Sequence, residues 1–195
     1  MSESFVSTRD RIIATAIDII SDSGLGQLNT KTVSQKANIS EPLLYKFYGD
    51  MDELLVDVLN YYFKFDEQIR KTYLAREGSF IDKIKSYFEN YAIYYDNYPA
   101  LANVFLHYEE FLHNPAVREI LITGVMKRKM FLKGLIQSAC ESDEIKEGND
   151  PEMLADTLMG FIIISSMKRR LEIQNNAIRK DISAFINKIF DDIAK

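Results

Sequence analysis

Each of the four prolines stands where a helix can begin. Pro42 follows Ser40 and Glu41, Pro99 follows Asn97 and Tyr98, Pro115 follows Asn114, and Pro151 follows Asp150. Proline is tolerated in a helix's first turn, where its missing N–H would lack a partner anyway, and Ser, Asn or Asp ahead of it supplies a capping oxygen. Between these starts the apolar residues recur three and four apart: Ile12, Ile13, Ala16 and Ile20; Phe80, Ile81, Ile84, Tyr87, Phe88, Tyr91 and Tyr95; Ile178, Ile182, Phe185, Ile186, Ile189 and Ile193. Strand-like alternation is missing, so the expected fold is all-α. The spacing predicts about nine helices, over 7–23, 30–37, 41–47, 51–74, 79–97, 98–113, 115–141, 151–173 and 176–194.

The 195 residues suffice for one domain, or a small one joined to a larger one, with a core that needs no staples. A single cysteine, Cys140, excludes an internal disulfide or a Cys-based zinc site and fits a reducing, intracellular setting. The longest strongly apolar run, Leu158–Met167, is too short for a membrane span, and Met1–Asp10 lacks the apolar centre of a secretory leader. A cytoplasmic protein without a membrane partner is expected. The net charge is −5, and residues 1–60 hold five Lys and Arg against nine Asp and Glu. Taken alone, that balance argues against nucleic acid as a partner.

Local placement argues otherwise. Ser23, Gly24 and Gly26 close the first helix, Asn29 caps the second, Asn38 can take the left-handed conformation at its end, and Ser40 caps a third after a short turn. Two short helices around a tight turn make a helix-turn-helix. Val33, Ala37, Ile39 and Leu44 would form its apolar contact, leaving Glu41, Pro42, Leu43, Tyr45 and Lys46 on the outside of the second short helix. Between Leu28 and Tyr48, Lys31, Lys36 and Lys46 face Glu41 alone. A helix start carrying a carboxylate, a phenol and a lysine can enter a major groove with base edges and phosphates both in reach.

The stretches Gly24-Leu25-Gly26-Gln27-Leu28-Asn29-Thr30-Lys31, Ala37-Asn38-Ile39-Ser40-Glu41-Pro42-Leu43-Leu44-Tyr45-Lys46-Phe47-Tyr48 and Asp52-Glu53-Leu54-Leu55 together resemble the N-terminal signature of the TetR/AcrR transcriptional regulators, over about residues 8–60. The resemblance implies a DNA-binding domain over residues 1–50 and a ligand-binding and dimerisation domain over 51–195, with the helix at 51–74 as connector. It implies a ligand-responsive regulator, a repressor that binds a palindromic stretch of double-stranded operator DNA as a homodimer and is released by a small, largely apolar effector. Phosphate contacts would come from Thr30, Lys31, Tyr45 and Lys46, and base contacts from Glu41, Pro42 and Leu43, with Arg9 and Arg11 as further backbone contacts. Three positions depart from the pattern: Asn38 replaces a glycine, Phe47 a His or Tyr, and Met51 a lysine that resembles a phosphate clamp. The lost charge, with the acidic head, motivates an alternative: a helical ligand-binding or scaffold protein with degenerate DNA binding.

Of the eleven Tyr and twelve Phe, fifteen fall within residues 61–111. Such stripes are either plain core or the wall of a ligand cavity, and repeated Tyr in place of Leu supplies hydroxyls that need partners. By the resemblance, effectors bind among these middle helices. The expected lining is Tyr91, Tyr95, Phe105, Tyr108 and Phe111, with Asn103 or His107 as polar anchors. His107 with Glu110 and Glu109 with His113 have metal-compatible spacing but read as surface pairs, so no metal is expected. No nucleophile elbow or phosphate loop occurs, and neither catalysis nor a cofactor is expected. The segment 154–167 is apolar nearly all round, with Gly160 permitting close approach. Leu158, Gly160, Phe161, Ile182, Phe185, Ile186 and Ile189 are the expected residues of a two-fold interface.

Overall fold

The computed structural model describes residues 7–74, 77–172 and 177–195. Among them run ten α-helices: α1 (Thr8–Ser23), α2 (Thr30–Ala37), α3 (Glu41–Tyr45), α4 (Met51–Leu74), α5 (Phe80–Asn97), α6 (Pro99–Val104), α7 (Tyr108–Leu112), α8 (Arg118–Glu141), α9 (Pro151–Arg170) and α10 (Ile178–Ile193). Short 3-10 turns occupy Leu25–Gln27 and Phe105–His107. No strand forms among the described residues, and a lone antiparallel bridge joins Ile145 to Ala194. The all-α expectation holds. Nor is any described helix long and apolar enough to cross a membrane.

Local chemistry sets the helix ends. Ser7 Oγ accepts from Asp10 N at 3.0 Å and donates to the Asp10 carboxylate at 2.7 Å, which starts α1. Gly24 ends it at φ +83°, a conformation that disfavours side-chain-bearing residues. Three expected boundaries need correction. The helix predicted over 98–113 is α6, a 3-10 turn and α7, because His107 leaves helical geometry at φ −95°, ψ 19°. The helix predicted from 115 begins at Arg118: Asn114 Oδ1 accepts from Ala116 N at 2.9 Å, so Pro115 sits in an Asx-type turn before the helix. The helix predicted over 151–173 ends at Arg170, and positions 173 and 176 of the predicted boundaries lie outside the described residues.

The chain divides into two compact units. The first comprises Met1–Lys64 and Ala100–Thr123. Its core takes Ile12, Ala16, Ile17 and Ile20 from α1, Val33 and Ala37 from α2, Leu44 from α3, and Leu54, Val58 and Leu59 from α4, with Leu101, Val104 and Phe111 from α6 and α7. The second comprises Phe65–Pro99 and Gly124–Lys195. There α5 buries Ile84, Tyr87, Phe88, Tyr91 and Tyr95, one face at helical spacing, and α10 buries Ile178, Ile182, Ile186 and Phe190. Two carboxylates seal helix starts in this unit. Glu144 accepts from Phe80 N and Ile81 N, each at 2.9 Å, and Asp96 accepts from Ile178 N at 2.8 Å and Arg179 N at 3.0 Å.

Candidate nucleic-acid interface

Asn29 Oδ1 accepts from Thr32 N at 3.0 Å and caps α2, which Asn38 terminates in the left-handed region at φ 52°, ψ 52°. Ser40 Oγ then accepts from Leu43 N at 3.3 Å and starts α3. Val33, Ala37 and Leu44 are buried and Ile39 half-buried, so the expected apolar contact sets the crossing of α2 and α3. Helix α3 is two residues shorter than predicted. Its last turn tightens, with Lys46 N donating to Leu43 O at 3.2 Å and Phe47 N to Leu44 O at 2.9 Å.

Glu41, Pro42, Tyr45 and Lys46 are exposed, and Leu43 is half-buried. Tyr45 leaves 54% of its surface in solvent although it is a large aromatic. Its hydroxyl lies 3.4 Å from Thr30 Oγ1, so two expected phosphate contacts, one from α2 and one from α3, share a single patch. Lys31 and Lys46 are exposed beside it, and no ion pair to either occurs among the described residues. Lys36 is instead bonded to Asp22 at 3.1 Å.

Arg9 is exposed but paired: its guanidinium bonds Asp57 at 2.7 Å and stands 5.5 Å over the Tyr48 ring, while the Tyr48 hydroxyl donates to the same carboxylate at 2.8 Å. Burial, then the hydrogen bond to Asp57, pushes the Tyr48 phenol well above its usual range, so it remains a neutral donor. This trio ties α1 to α4, and sequence spacing gave no sign of a contact 48 residues apart. At the start of α4, Asp50 caps Glu53 N at 2.9 Å and Glu53 caps Gly49 N at 2.7 Å. Asp52 alongside accepts from Asn114 Nδ2 at 2.8 Å, so three carboxylates crowd this helix start.

The other expected site residues divide between the units. In the first, Asn103 Nδ2 donates to Ser21 Oγ at 3.1 Å, and Glu110 accepts from Leu25 N at 3.1 Å while bonding His107 Nδ1 at 2.8 Å. Of the expected polar anchors, Asn103 therefore bonds the end of α1, and His107 is tied to the turn behind it only through Glu110. Phe105 and Tyr108 stack at 6.1 Å, Tyr108 exposed and Phe105 half-buried, whereas Phe111 is fully buried. His113 lies 3.5 Å from Glu109, and no His, Cys, Asp and Glu group of three or more is placed for a metal among the described residues.

In the second unit Tyr91 and Tyr95 are buried. The Tyr91 hydroxyl donates to Asp66, which also takes a two-pronged bond from Arg128 at 2.8 and 2.9 Å. Asp66 and Arg128 are both buried, an ion pair that the periodicity of α4 and α8 did not reveal. Of the expected interface residues, Leu158, Ile182 and Ile186 are covered inside this unit, while Phe161 and Phe185, half-buried, stack at 3.8 Å. Ile189 is half-buried and Gly160 exposed. The exposed apolar residues of α9 are Met153, Ile164 and Met167, with Gly160 exposed among them.

Residues 12–58, the span of α1 through the first turns of α4, match the family model of bacterial regulatory proteins of the tetR family. Over these residues the chain is similar to the helix-turn-helix head of the tetR family. Solved structures extend the likeness to the whole fold. The ketosteroid transcriptional regulator of Mycobacterium tuberculosis aligns at a TM-score of 0.84 and 10% identity, covering 98% of this chain and 97% of that one. The regulator FadR of Bacillus subtilis, solved with stearoyl-CoA, aligns at 0.76 and 17%, covering 92% and 96%. SmeT of Stenotrophomonas maltophilia, repressor of the multidrug efflux pump SmeDEF, aligns at 0.74 and 14%, covering 97% and 91%. No curated protein matches in sequence. At such low identity the likeness is one of fold, and it carries no ligand chemistry over to this chain.

Proposed function

We propose that the protein is a one-component transcription regulator, a repressor that acts as a homodimer on a two-fold-symmetric operator and is released by a small, largely apolar effector. Residues 1–50 read DNA, 51–74 connect, and 51–195 bind the effector and pair the subunits. The observation that carries this reading is the patch of Thr30, Lys31, Tyr45 and Lys46 beside the capped recognition helix, with Glu41, Pro42 and Leu43 at its tip. It acts without catalysis of its own, and a DNA target places it in the cytoplasm. The effector would meet the ring faces of Tyr91 and Tyr95, since the Tyr91 hydroxyl is already committed. Pairing would use the outward face of α9 with Phe161, Phe185 and Ile189. An effector that binds one head spacing more tightly than another shifts the population between them, and that affinity difference sets the induction ratio.

Lys46→Ala tests the DNA contact. Each lost phosphate contact should flatten the log–log dependence of affinity on salt by about 0.9, weakening all sequences alike. Shift assays at several salt concentrations, on DNA from upstream of the protein's own gene, give the slope; an unchanged slope removes Lys46 from the contact set. The acidic start of α4 favours the second reading, a ligand-binding or scaffold protein with degenerate DNA binding. Under that reading neither wild type nor variant would distinguish this DNA from any other.

Glu110 links α7 to the head. In Glu110→Ala the Leu25 amide loses its acceptor and His107 its partner. The expected result is faster hydrogen exchange at Leu25 and operator affinity about fivefold lower, the worth of roughly one partly exposed hydrogen bond. Unchanged exchange at Leu25 would show that the turn is held without Glu110.

A further inference from the structure

Among the described residues, two buried side-chain polar atoms lack any hydrogen-bond partner, Ser34 Oγ and the Tyr73 hydroxyl. Tyr73 belongs to the second unit and is only 5% exposed. Rings surround it. It meets Phe131 edge-on at 5.7 Å and Tyr87 edge-on at 6.4 Å; Tyr87 lies 5.4 Å from Phe131 and 4.9 Å from Tyr91. The neighbouring hydroxyls are occupied: Tyr91 donates to Asp66, and Tyr87 to Tyr91 at 3.4 Å. A buried hydroxyl without a partner keeps its full desolvation cost, and native proteins rarely leave one so.

We infer that this cluster admits an uncharged aromatic molecule bearing a carbonyl, and that the Tyr73 hydroxyl donates to that oxygen. The inference rests on the effector reading above and names the effector's chemical class. The rings supply an apolar, edge-and-face environment suited to an aromatic guest. The Arg128 charge is already matched by Asp66 inside the same cluster, so an ionic guest would bury an unmatched charge. At the cluster's edge Arg70 stands 5.8 Å over Phe131, and its field is shared with Glu67. Burial, and behind it the nearby Glu144 carboxylate, holds the Tyr73 phenol above its ordinary range; it stays a neutral donor and Glu144 repels a carboxylate guest. The closed cluster carries the cost of the unpaired hydroxyl, and a guest carbonyl removes it, so opening the cluster is partly offset by the bond gained.

Acetophenone and ethylbenzene, nearly equal in shape and differing in the carbonyl, serve as probes for wild type and Tyr73→Phe by calorimetry. The expected result is that the ketone-to-hydrocarbon affinity ratio is about tenfold larger in wild type than in Tyr73→Phe, with ethylbenzene binding both equally. Without ligand, Tyr73→Phe should match or exceed the wild-type melting temperature, whereas Tyr91→Phe, which loses a made bond, should melt lower. Equal ratios in the two proteins would overturn the role of Tyr73 while leaving the cluster as an effector site. Failure of both probes to bind wild type would overturn the cluster itself as that site. A Tyr73→Phe protein that melts as low as Tyr91→Phe would show that the hydroxyl is paired in the free protein, and would overturn the inference.

Discussion

Asp66→Ala should cost the protein about 3–5 kcal/mol of stability. The substitution removes the buried counter-charge of the Arg128 guanidinium and the acceptor of the Tyr91 hydroxyl at the same time. Breaking a buried pair by deleting one partner costs about 3–5 kcal/mol, because the remaining charge is neither solvated nor matched. Against a total stability of roughly 5–15 kcal/mol for a globular protein, that loss is a large share. Replacing both partners at once, as in Asp66→Leu with Arg128→Met, removes the charge together with its counter-charge and should recover most of the stability. Urea denaturation of the single and double variants checks both statements. A single variant as stable as wild type would mean that water or another acceptor reaches Arg128.

If subunits pair through the outward face of α9 as proposed, Gly160→Glu should separate them without harming the fold of either. Gly160 is exposed on α9, and a Cβ built on it meets nothing within 4 Å, so the isolated subunit has room for the side chain. Glutamate is also the better helix former, by several tenths of a kcal/mol. At a two-fold contact the new carboxylate would be desolvated against its own symmetry mate, at a cost of several kcal/mol. Operator affinity should then fall by about 100-fold or more, because two linked heads bind with an effective concentration that separate subunits lack. Sedimentation gives the mass, circular dichroism the fold, and shift assays on full and half operators the affinity. Ile164→Asp, on the same exposed face, should behave alike. Ile186→Asp would instead unfold the subunit, since Ile186 is buried within it. A folded Gly160→Glu protein that stayed dimeric would place the subunit contact elsewhere.

The head was almost wholly legible in the sequence because its determinants are local. Asn29, Asn38 and Ser40 act on backbone groups within four residues of themselves, and such chemistry depends on spacing alone. Val33, Ala37 and Leu44 likewise announce their burial by period. What sequence could not show is pairing across distance. Arg9 resembles a free basic residue until Asp57 and Tyr48 close on it, and Asp66 is one acid among many until Arg128 reaches it from α8. For α9, a helix apolar on every side gives no phase, so Leu158 and Gly160 read alike although one is buried in the core and the other exposed. The aromatic run at 61–111 carried the same ambiguity: its rings identify a crowded interior, but which hydroxyl lacks a partner depends on contacts between helices.

Capture of fragmented bacterial DNA by the purified protein, followed by sequencing of what is retained, tests the central claim most directly. The protein should enrich a small set of fragments that share an inverted repeat whose half-sites are spaced for two heads on one face of the duplex. A protein carrying Tyr45→Ala and Lys46→Ala should remain folded and enrich none of them, since both side chains are exposed and support no core. Retention without a shared symmetric motif, or enrichment that survives both substitutions, would contradict the assignment of the head as a sequence-reading DNA-binding domain.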